Sequence, residues 1–427
     1  MTNFFSVGRA AQNPVFARED FPHDTAALQA ALDRCAQEDI PELRLCPASD
    51  WTLAPGGQSL ILRSNLTLDA QGSTLTLVPY AGSGANPVGI RNAAGAKQIT
   101  IRNLIGDGNA AQMRGEAKAG GCFWSFAGAD VTLENVRIEQ SVRYNSFVAT
   151  RASRVLSGQI ALRMNSREVE GVRTKFLAEL RPGQRIRTGA GHLTFPVVEI
   201  ISDTRLRLAY NFPYLDEPAS SGCRLVQGVK VRATDCVFGP TLRDDKFGGG
   251  GWDESYFLRC KFLGDGEKSG YGFGATGMYA SILEDCEALG VASGFGLERV
   301  AGCHFVRCTA RGNHSKGWSI VNGCQDNEFV ECEAYENADG FYDATFSKTH
   351  GQNIHNRYVR TRAHDNARHG MYFGGSRDPE LHACTLKNNH RDPGTHAIGR
   401  NLVCKALSGY PASQPNIDAE TEIALDT

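Results

Sequence analysis

The chain has 427 residues, of which 41% are hydrophobic and 9% aromatic, enough for a large core and too many for a disordered protein. Its 45 Lys and Arg residues nearly balance its 47 Asp and Glu residues, so no charge excess points to nucleic acid as a partner. No apolar run reaches the roughly 18 residues of a membrane span, and no basic segment followed by an apolar one precedes the first strand. Neither membrane insertion nor a secretory signal is therefore expected.

The segment FPHDTAALQAALDRCAQED has the pattern of an amphipathic helix. Asp24 stands where an N-cap is needed, and Ala27, Leu28, Ala31 and Leu32 fall on one face at helical spacing. The segments after it alternate apolar and polar residues, as strands of the first coils of a stacked β-structure would. Because an exposed first coil would leave an open sheet edge, we expect the helix to cover that edge.

Residues 153–226 interrupt this rhythm. They contain alternating strand patterns but lack the Cys and Asn repeats described below. This pattern predicts a small antiparallel β-module inserted into a loop, with a long irregular loop as the alternative. The chain is thus expected to divide into a cap with the first coils (1–152), the module (153–226), and the main coils with a C-terminal tail (227–427).

The second half of the chain repeats a strand phrase with one Cys at its centre. The repeated cysteines are Cys236, Cys260, Cys286, Cys308 and Cys332. A second series of residues runs in step with the first, namely Asn313, Asn337, Asn366 and Asn389. A fixed period with strand alternation predicts one coil of a parallel β-solenoid per repeat, with like side chains stacked in columns.

Zinc binding is the other explanation for recurring cysteines. Zinc sites usually need two close pairs of ligands, whereas these cysteines occur once per coil. We therefore predict a column of reduced, buried thiols, and no metal or other cofactor.

The phrases DTAALQAAL and SNLTLDAQGSTL, and the coil phrases ECEAYENADGF and RAHDNARHGMYF, resemble the pectate-lyase-like right-handed β-helix proteins. That group includes phage tailspikes, polysaccharide lyases, glycosidases and C5-epimerases. The resemblance covers roughly residues 20–150 and 227–405 and implies an all-β, right-handed parallel β-helix fold. The chain has no D-P-H-E phrase of alginate epimerases and no N-T-D-G or G-H-G phrase of polygalacturonases, so the resemblance does not identify a reaction.

The repeat fixes which side chains face outward on one strand of each coil. One inward column is predicted to contain Phe273, Phe295, Trp318, Phe341 and Met371. Alternation then places Glu298 outward, as the one carboxylate in its column, with Arg299 and Asn322 at the following turn. The same alternation places Asp343 inward, where an unpaired carboxylate would be very costly.

Three explanations of Asp343 are open. A bulge turns it outward, or it is buried with a partner and a raised pKa like a catalytic acid, or it caps a turn by accepting backbone N–H groups.

A glycine-rich loop, TLRDDKFGGGGWDES, contributes further candidates. Asp244 and Asp245 are candidate catalytic carboxylates, and Trp252 is a candidate sugar-stacking residue, because glycines allow close approach and indole faces stack on sugars. A flexible surface loop is the alternative. Tyr342 and Tyr372 are predicted neighbours in one outward column.

His350 is predicted on the loop beside these tyrosines. Together with them it is a candidate for sugar binding or for a proton relay, and ordinary surface aromatics are the alternative.

Two classes of function fit these residues. The first is an enzyme that cleaves an extended polysaccharide, most simply a glycoside hydrolase pairing Glu298 with Asp343 at about 6–9 Å, or with Asp244 or Asp245 replacing either partner. A uronate lyase or C5-epimerase, with Arg299 and Lys348 near the acid group of the sugar, is the alternative within this class. The second class is a non-catalytic carbohydrate-binding spike.

Spike-like β-helices often associate side by side, which predicts a homotrimer with the inserted module at the contact. Without a secretory signal, a cytoplasmic protein, or a virion-associated or extracellular one that avoids the Sec route, is expected.

Overall fold

The computed structural model describes residues 5–8, 16–17, 23–54, 59–79, 88–113, 121–188, 194–213, 215–266, 270–346, 349–389, 401–407 and 409–424. These residues form a right-handed parallel β-helix with an inserted antiparallel module, as predicted. Each coil passes through three parallel sheets in turn, and successive coils pair in register along each sheet. Within the described ranges the three sheets contain 14, 12 and 11 strands.

The strands of the first sheet, in spatial order, are Phe16–Ala17, Phe5–Gly8, Glu42–Leu45, Leu66–Asp69, Ile99–Arg102, Asp130–Glu134, Lys230–Thr234, Tyr256–Leu258, Ile282–Glu284, His304–Val306, Glu328–Val330, Arg357–Val359, Glu380–His382 and Asn416–Ile417. Those of the second sheet are Asp50–Leu53, Thr74–Leu77, Ile105–Asp107, Arg137–Glu139, Val237–Phe238, Lys261–Leu263, Glu287–Leu289, Thr309–Arg311, Glu333–Tyr335, Arg362–His364, Thr385–Lys387 and Glu422–Ile423. Those of the third sheet are Leu60–Leu62, Val88–Asn92, Cys122–Ala127, Tyr144–Ala149, Phe247–Gly250, Tyr271–Thr276, Ser293–Glu298, Lys316–Val321, Asp339–Ala344, His369–Gly374 and Leu402–Lys405.

Side-chain columns run through the interior, as the repeat predicts. The repeated cysteines are free and fully buried, and the thiol of Cys308, for example, donates to the carbonyl of Leu283 in the preceding coil. The asparagine series forms a hydrogen-bonded ladder in which Nδ2 of Asn313 donates to Oδ1 of Asn337 at 2.8 Å. Such ladders satisfy buried polar groups at every coil and hold the coils in register.

Stacked rings fill the interior beneath the third sheet. The ring centroids of Phe295 and Trp318 are 4.1 Å apart, and those of Trp318 and Phe341 are 5.6 Å apart, with ring planes inclined by 16° and 8°. These residues belong to the predicted inward column, so the predicted facing of the third sheet is confirmed.

A helix, α1 (Asp24–Gln37), covers the first coils. Its predicted face is buried, but its N-cap is His23, whose Nδ1 accepts from the N–H of Ala26. Asp24 instead accepts from the N–H and the hydroxyl of Thr52, at 2.7 and 2.8 Å. The residue predicted as the cap therefore ties the helix to a strand of the second sheet.

The inserted module has its own core and antiparallel strands. In spatial order its eight described strands are Arg151–Val155, Arg224–Gln227, Arg185–Arg187, Thr194–Ser202, Arg205–Leu208, Glu168–Val172, Gln159–Leu162 and Glu217–Ser221. A short helix, α2 (Phe176–Glu179), packs against it. Neither α1 nor α2 has the length and apolar composition needed to cross a membrane.

Candidate active site

The outer face of the third sheet has a cavity midway along the solenoid. One outward column runs through Phe147, Gly248, Gly274, Gly296, Ser319, Tyr342 and Tyr372. The large side chains at both ends and the small ones between them leave a cavity of about 820 Å³. Asp245, Glu298, Arg299 and Asn322, all predicted from sequence, line this cavity together.

Asp245 lies over the glycines of this column. A methyl group on Gly274 would overlap its carboxylate, so the glycine makes room for this side chain rather than for a ligand. Its Oδ1 accepts from the N–H of Tyr271 at 2.8 Å. Burial raises the pKa of the Asp245 carboxyl to about 7; the N–H of Tyr271 opposes this shift and the negative charge of Asp244 adds to it. Near neutral pH, Asp245 is therefore protonated in a substantial fraction of molecules.

Tyr271 lines the cavity together with the two carboxylates. Its ring lies directly over Gly296, where a Cβ would come within 2.5 Å of the ring atoms. Burial raises the pKa of its hydroxyl, a hydrogen bond with Ser319 opposes this shift, and the negative charges of Asp245 and Glu298 add to it. A neutral phenol therefore lies within range of both acids.

Glu298 ends its strand and is held by the two turns beyond it. Arg299 contacts its Oε2 at 2.9 Å, and Nδ2 of Asn322 donates to its Oε1 at 3.1 Å. Arg299 and Asn322 occupy equivalent positions of successive coils, and both adopt left-handed backbone conformations, with φ of 56° and 58°. Glu298 is thus held by one cation and one amide donor.

The inserted module forms one wall of the cavity through Arg187 and Thr194. Neighbouring Arg185, only 1% exposed, fixes that wall. Its guanidinium binds both carboxylate oxygens of Asp253 and donates to the carbonyls of Thr194 and Gly277 at 2.7 and 3.1 Å. The module is thus joined to the coils by a buried ion pair beside the cavity.

Asp343 lies in the core and not in the cavity. Its Oδ1 accepts from Asn353 at 2.7 Å and Ser376 at 2.6 Å, and its Oδ2 accepts from Asn356 at 3.0 Å and Tyr358 at 2.9 Å. Burial raises the pKa of this carboxyl while the four donors lower it. No bulge turns Asp343 outward, and its donors are side chains rather than the backbone N–H groups of a turn. The prediction that it is a catalytic acid is wrong, because no polymer can reach a fully enclosed carboxylate.

Trp252 is also placed in the core, which corrects the prediction that it stacks on a sugar. Its ring packs against Phe247 and Phe273, and its Nε1 donates to the carbonyl of Val148 at 2.6 Å. Asp244 is engaged by Arg143 at 2.7 Å, next to Asp245, and does not itself line the cavity.

Tyr342 and Tyr372 face outward as predicted, beside the downstream end of the cavity. Their rings stack face to face, with centroids 4.6 Å apart. His350 lies close enough to Glu298 and Arg299 for their charges to act on it: burial lowers the pKa of its ring, Arg299 lowers it further and Glu298 raises it. Lys348 lies outside the described residues.

Several residues that line the cavity were not predicted, among them Tyr144, Arg187 and Tyr271. A signal for Tyr271 exists in the sequence, since a run of small residues in an outward column indicates that a large neighbouring side chain lies over it. Arg187 is contributed by the module, whose position against the coils no repeat pattern could give. No three His, Cys, Asp or Glu side chains group as metal ligands anywhere in the described ranges.

No protein-family model and no curated protein sequence matches the chain. Among solved structures, it is similar to the A-module of mannuronan C-5 epimerase AlgE4 from Azotobacter vinelandii, with 13% identity, a TM-score of 0.54, and coverage of 98% of this chain and 100% of that one. The AlgE6 A-module from the same organism gives 14% identity, a TM-score of 0.52, and coverage of 96% and 99%. The chain therefore shares the fold of these two modules, and the predicted right-handed parallel β-helix fold is confirmed.

Proposed function

We propose that this protein is a polysaccharide-cleaving glycoside hydrolase in which Asp245 is the general acid and Glu298 the general base. The observation that carries the proposal is that two carboxylates in opposite electrostatic settings line one cavity. Asp245 has a pKa raised to about 7 by burial, whereas Glu298 is paired with Arg299 and Asn322. A carboxyl that keeps its proton near neutral pH, beside a second carboxylate held in place by a cation, is an arrangement suited to general acid and general base catalysis.

The register supports a separation suited to inversion. The Asp245 carboxylate lies over Gly274, while Glu298 is one strand away and two residues further along. Strand spacing and rise place those two positions about 8 Å apart. Inverting glycosidases hold their carboxyl groups roughly 6.5–9.5 Å apart to admit a water molecule.

A uronate lyase or C5-epimerase is the second candidate, favoured by Tyr271. Its hydroxyl is close enough to Asp245 and Glu298 for both charges to act on it, and Arg187 and Arg299 line the same cavity, where a cation would neutralise the acid group of a uronate. The fold shared with mannuronan C-5 epimerase modules is compatible with this chemistry.

One assay separates these candidates from each other and from a non-catalytic spike. The protein is incubated with alginate and a panel of bacterial exopolysaccharides while viscosity, reducing ends and near-ultraviolet absorbance are followed. Hydrolysis gives reducing ends without absorbance, and elimination gives both. Epimerisation gives neither but incorporates solvent deuterium at C5, and a spike binds polymer without any of these changes.

A further inference from the structure

A row of rings continues from the downstream end of the cavity. Phe346 stacks on Tyr342 with centroids 5.6 Å apart, Tyr342 stacks on Tyr372 at 4.6 Å, and His369 stacks on Tyr372 at 5.6 Å. We call these four residues the aromatic shelf. Phe346 lines the cavity and is 48% exposed, so the shelf and the cavity form one continuous surface.

The register sets the distance of the shelf from the proposed reaction centre. Glu298 pairs with Val321, whose strand carries Ser319, and Ser319 pairs with Tyr342. Tyr342 is therefore two coils from Glu298, about 10 Å along the solenoid axis. A polysaccharide lying in the cavity would reach the shelf with the sugar units that follow the cleaved bond.

Lys316 places a positive charge on the shelf. Its Nζ lies 4.7 Å from the ring centroid of Tyr342 and 5.7 Å from that of Phe346. Among the described residues, no carboxylate lies within 4.0 Å of this ammonium; Asp339, its neighbour on the next strand, is bound by Arg368. Burial lowers the pKa of Lys316, which reflects the poor solvation of its charged form, and at longer range the charge of Asp339 raises it.

The rings compensate this charge only in part, since a cation over aromatic faces is held less strongly than one with a carboxylate partner. An ammonium group has three donors, and an acidic group of a bound ligand would add a direct carboxylate contact to the longer-range charge of Asp339. The faces of Tyr342 and Tyr372 are turned to each other, so these residues would meet a sugar with ring edges and hydroxyl groups. The shelf thus combines a cation, hydroxyl donors and the partly exposed ring of Phe346.

We propose that Lys316 and the aromatic shelf form a binding subsite for an acidic sugar unit, so that the polymer held in the groove is an anionic polysaccharide. This inference rests on the proposed function, which it deepens by naming the class of substrate. Its test measures binding rather than turnover, and its failure is therefore distinguishable from failure of the proposed hydrolysis.

The experiment measures the affinity of the full chain for five probes by calorimetry. The probes are oligomannuronate, oligogalacturonate, the carboxyl-reduced form of each, and a sulfated dextran oligosaccharide, which has no carboxylate and therefore separates carboxylate from sulfate recognition. Lys316→Met keeps an apolar stem over the rings and removes the charge. Lys316→Arg restores the charge, and Lys261→Met removes an exposed lysine of the second sheet as a matched control.

We expect Lys316→Met to weaken binding of at least one acidic oligosaccharide about tenfold, as loss of one charge-assisted contact does, and to leave the carboxyl-reduced forms unaffected. Lys316→Arg should recover most of the affinity, and Lys261→Met should not change it. Unaltered near-ultraviolet circular dichroism shows that the variant is folded. Equal affinity of Lys316→Met and the unaltered protein for acidic probes, or no binding of any acidic probe by the unaltered protein, overturns the proposal. Lys316-dependent binding without any product would retain the subsite and reject hydrolysis.

Discussion

The Asp343 carboxylate accepts a hydrogen bond from the hydroxyl of Tyr358 at 2.9 Å, inside the solenoid and away from the groove. Three further side chains donate to the same carboxylate, so the group is a buried acceptor around which two coils are joined. Its contribution is to stability, and its substitution separates structure from catalysis.

We expect Asp343→Asn to lower the free energy of unfolding by about 2–4 kcal/mol. The reason is that the NH2 group of the new amide would face side chains that are themselves hydrogen-bond donors. Tyr358→Phe should cost less, about 1 kcal/mol, since it removes one donor and leaves the others paired. Denaturant unfolding measures both, with the exposed Asp378→Asn as a control. Turnover per folded molecule should not change in either variant. A large loss of turnover in fully folded Asp343→Asn would contradict the core role.

The same residue predicts a pH dependence of stability. Its folded pKa is raised by burial, so the native state binds more protons than the unfolded chain above the ordinary aspartate pKa of about 3.9. The contribution of Asp343 to the free energy of unfolding therefore declines as the pH rises from about 4 through the raised pKa of the folded state. Unfolding curves across pH should show a smaller decline in Asp343→Asn than in the unaltered protein, after comparison with Asp378→Asn.

Glu298→Gln and Asp245→Asn should each lower turnover at least about a hundredfold while polymer binding is nearly retained. The reason is that each variant keeps the shape of the cavity and removes one proton-transfer group. Glu254→Gln, a solvent-exposed carboxylate outside the cavity, is the matched control. Full activity of both cavity variants would show that the reaction takes place elsewhere on the solenoid.

The rate should fall as pH rises through about 7, because the proposed acid Asp245 then loses its proton. Asp244→Asn removes a neighbouring negative charge, which lowers the pKa of Asp245 and shifts this alkaline limb to lower pH. The measurement is the pH profile of kcat/KM for both proteins. If the alkaline limb of the kcat/KM profile of Asp244→Asn lies at the same pH or at a higher pH, Asp245 is not the acid.

Arg185→Met should destabilise the protein by about 3–5 kcal/mol, since it leaves the Asp253 carboxylate with no guanidinium partner beneath the module. The double variant Arg185→Met with Asp253→Leu should recover part of this loss. Arg207→Met, which removes an exposed ion pair of the same module, should have little effect. If Arg185→Met and Arg207→Met lower the free energy of unfolding equally in denaturant unfolding, the buried ion pair does not join the module to the coils.

The homotrimer remains a prediction. The module exposes large apolar side chains, among them Val155, Leu177 and Leu215, that a neighbouring chain could cover. Light scattering at micromolar concentration should give three times the mass of the chain, and a monomer would reject the prediction.

Repetition explains which parts of the fold were predictable. The cysteine and asparagine series fixed the period and the facing of the third sheet, and both Glu298 and Asp343 lie on the predicted sides of it. The role of Asp343 could not be predicted in the same way. Its partners Asn353, Asn356 and Ser376 come from turns, where the lengths of successive coils differ and alignment fails.

The site was predictable where it follows the repeat and not where it depends on tertiary placement. Asp245 and Glu298 were recognised as candidates, but Trp252 was misplaced because four preceding glycines indicated an exposed loop. Those glycines instead lie where the Asp245 carboxylate and the atoms of neighbouring coils come close to the backbone of this strand. The contribution of Arg187 depends on how a non-repeating module packs against the coils.

The enclosed thiol column makes the local opening of each coil measurable. Burial raises the pKa of Cys286 and Cys308 well above the ordinary thiol value, and both are reached only when their coils part. A thiol-labelling reagent would therefore modify each cysteine at a rate set by the opening of its own coil. Because one thiol marks each of five coils, mass spectrometry of a labelling time course would show from which end the solenoid unravels.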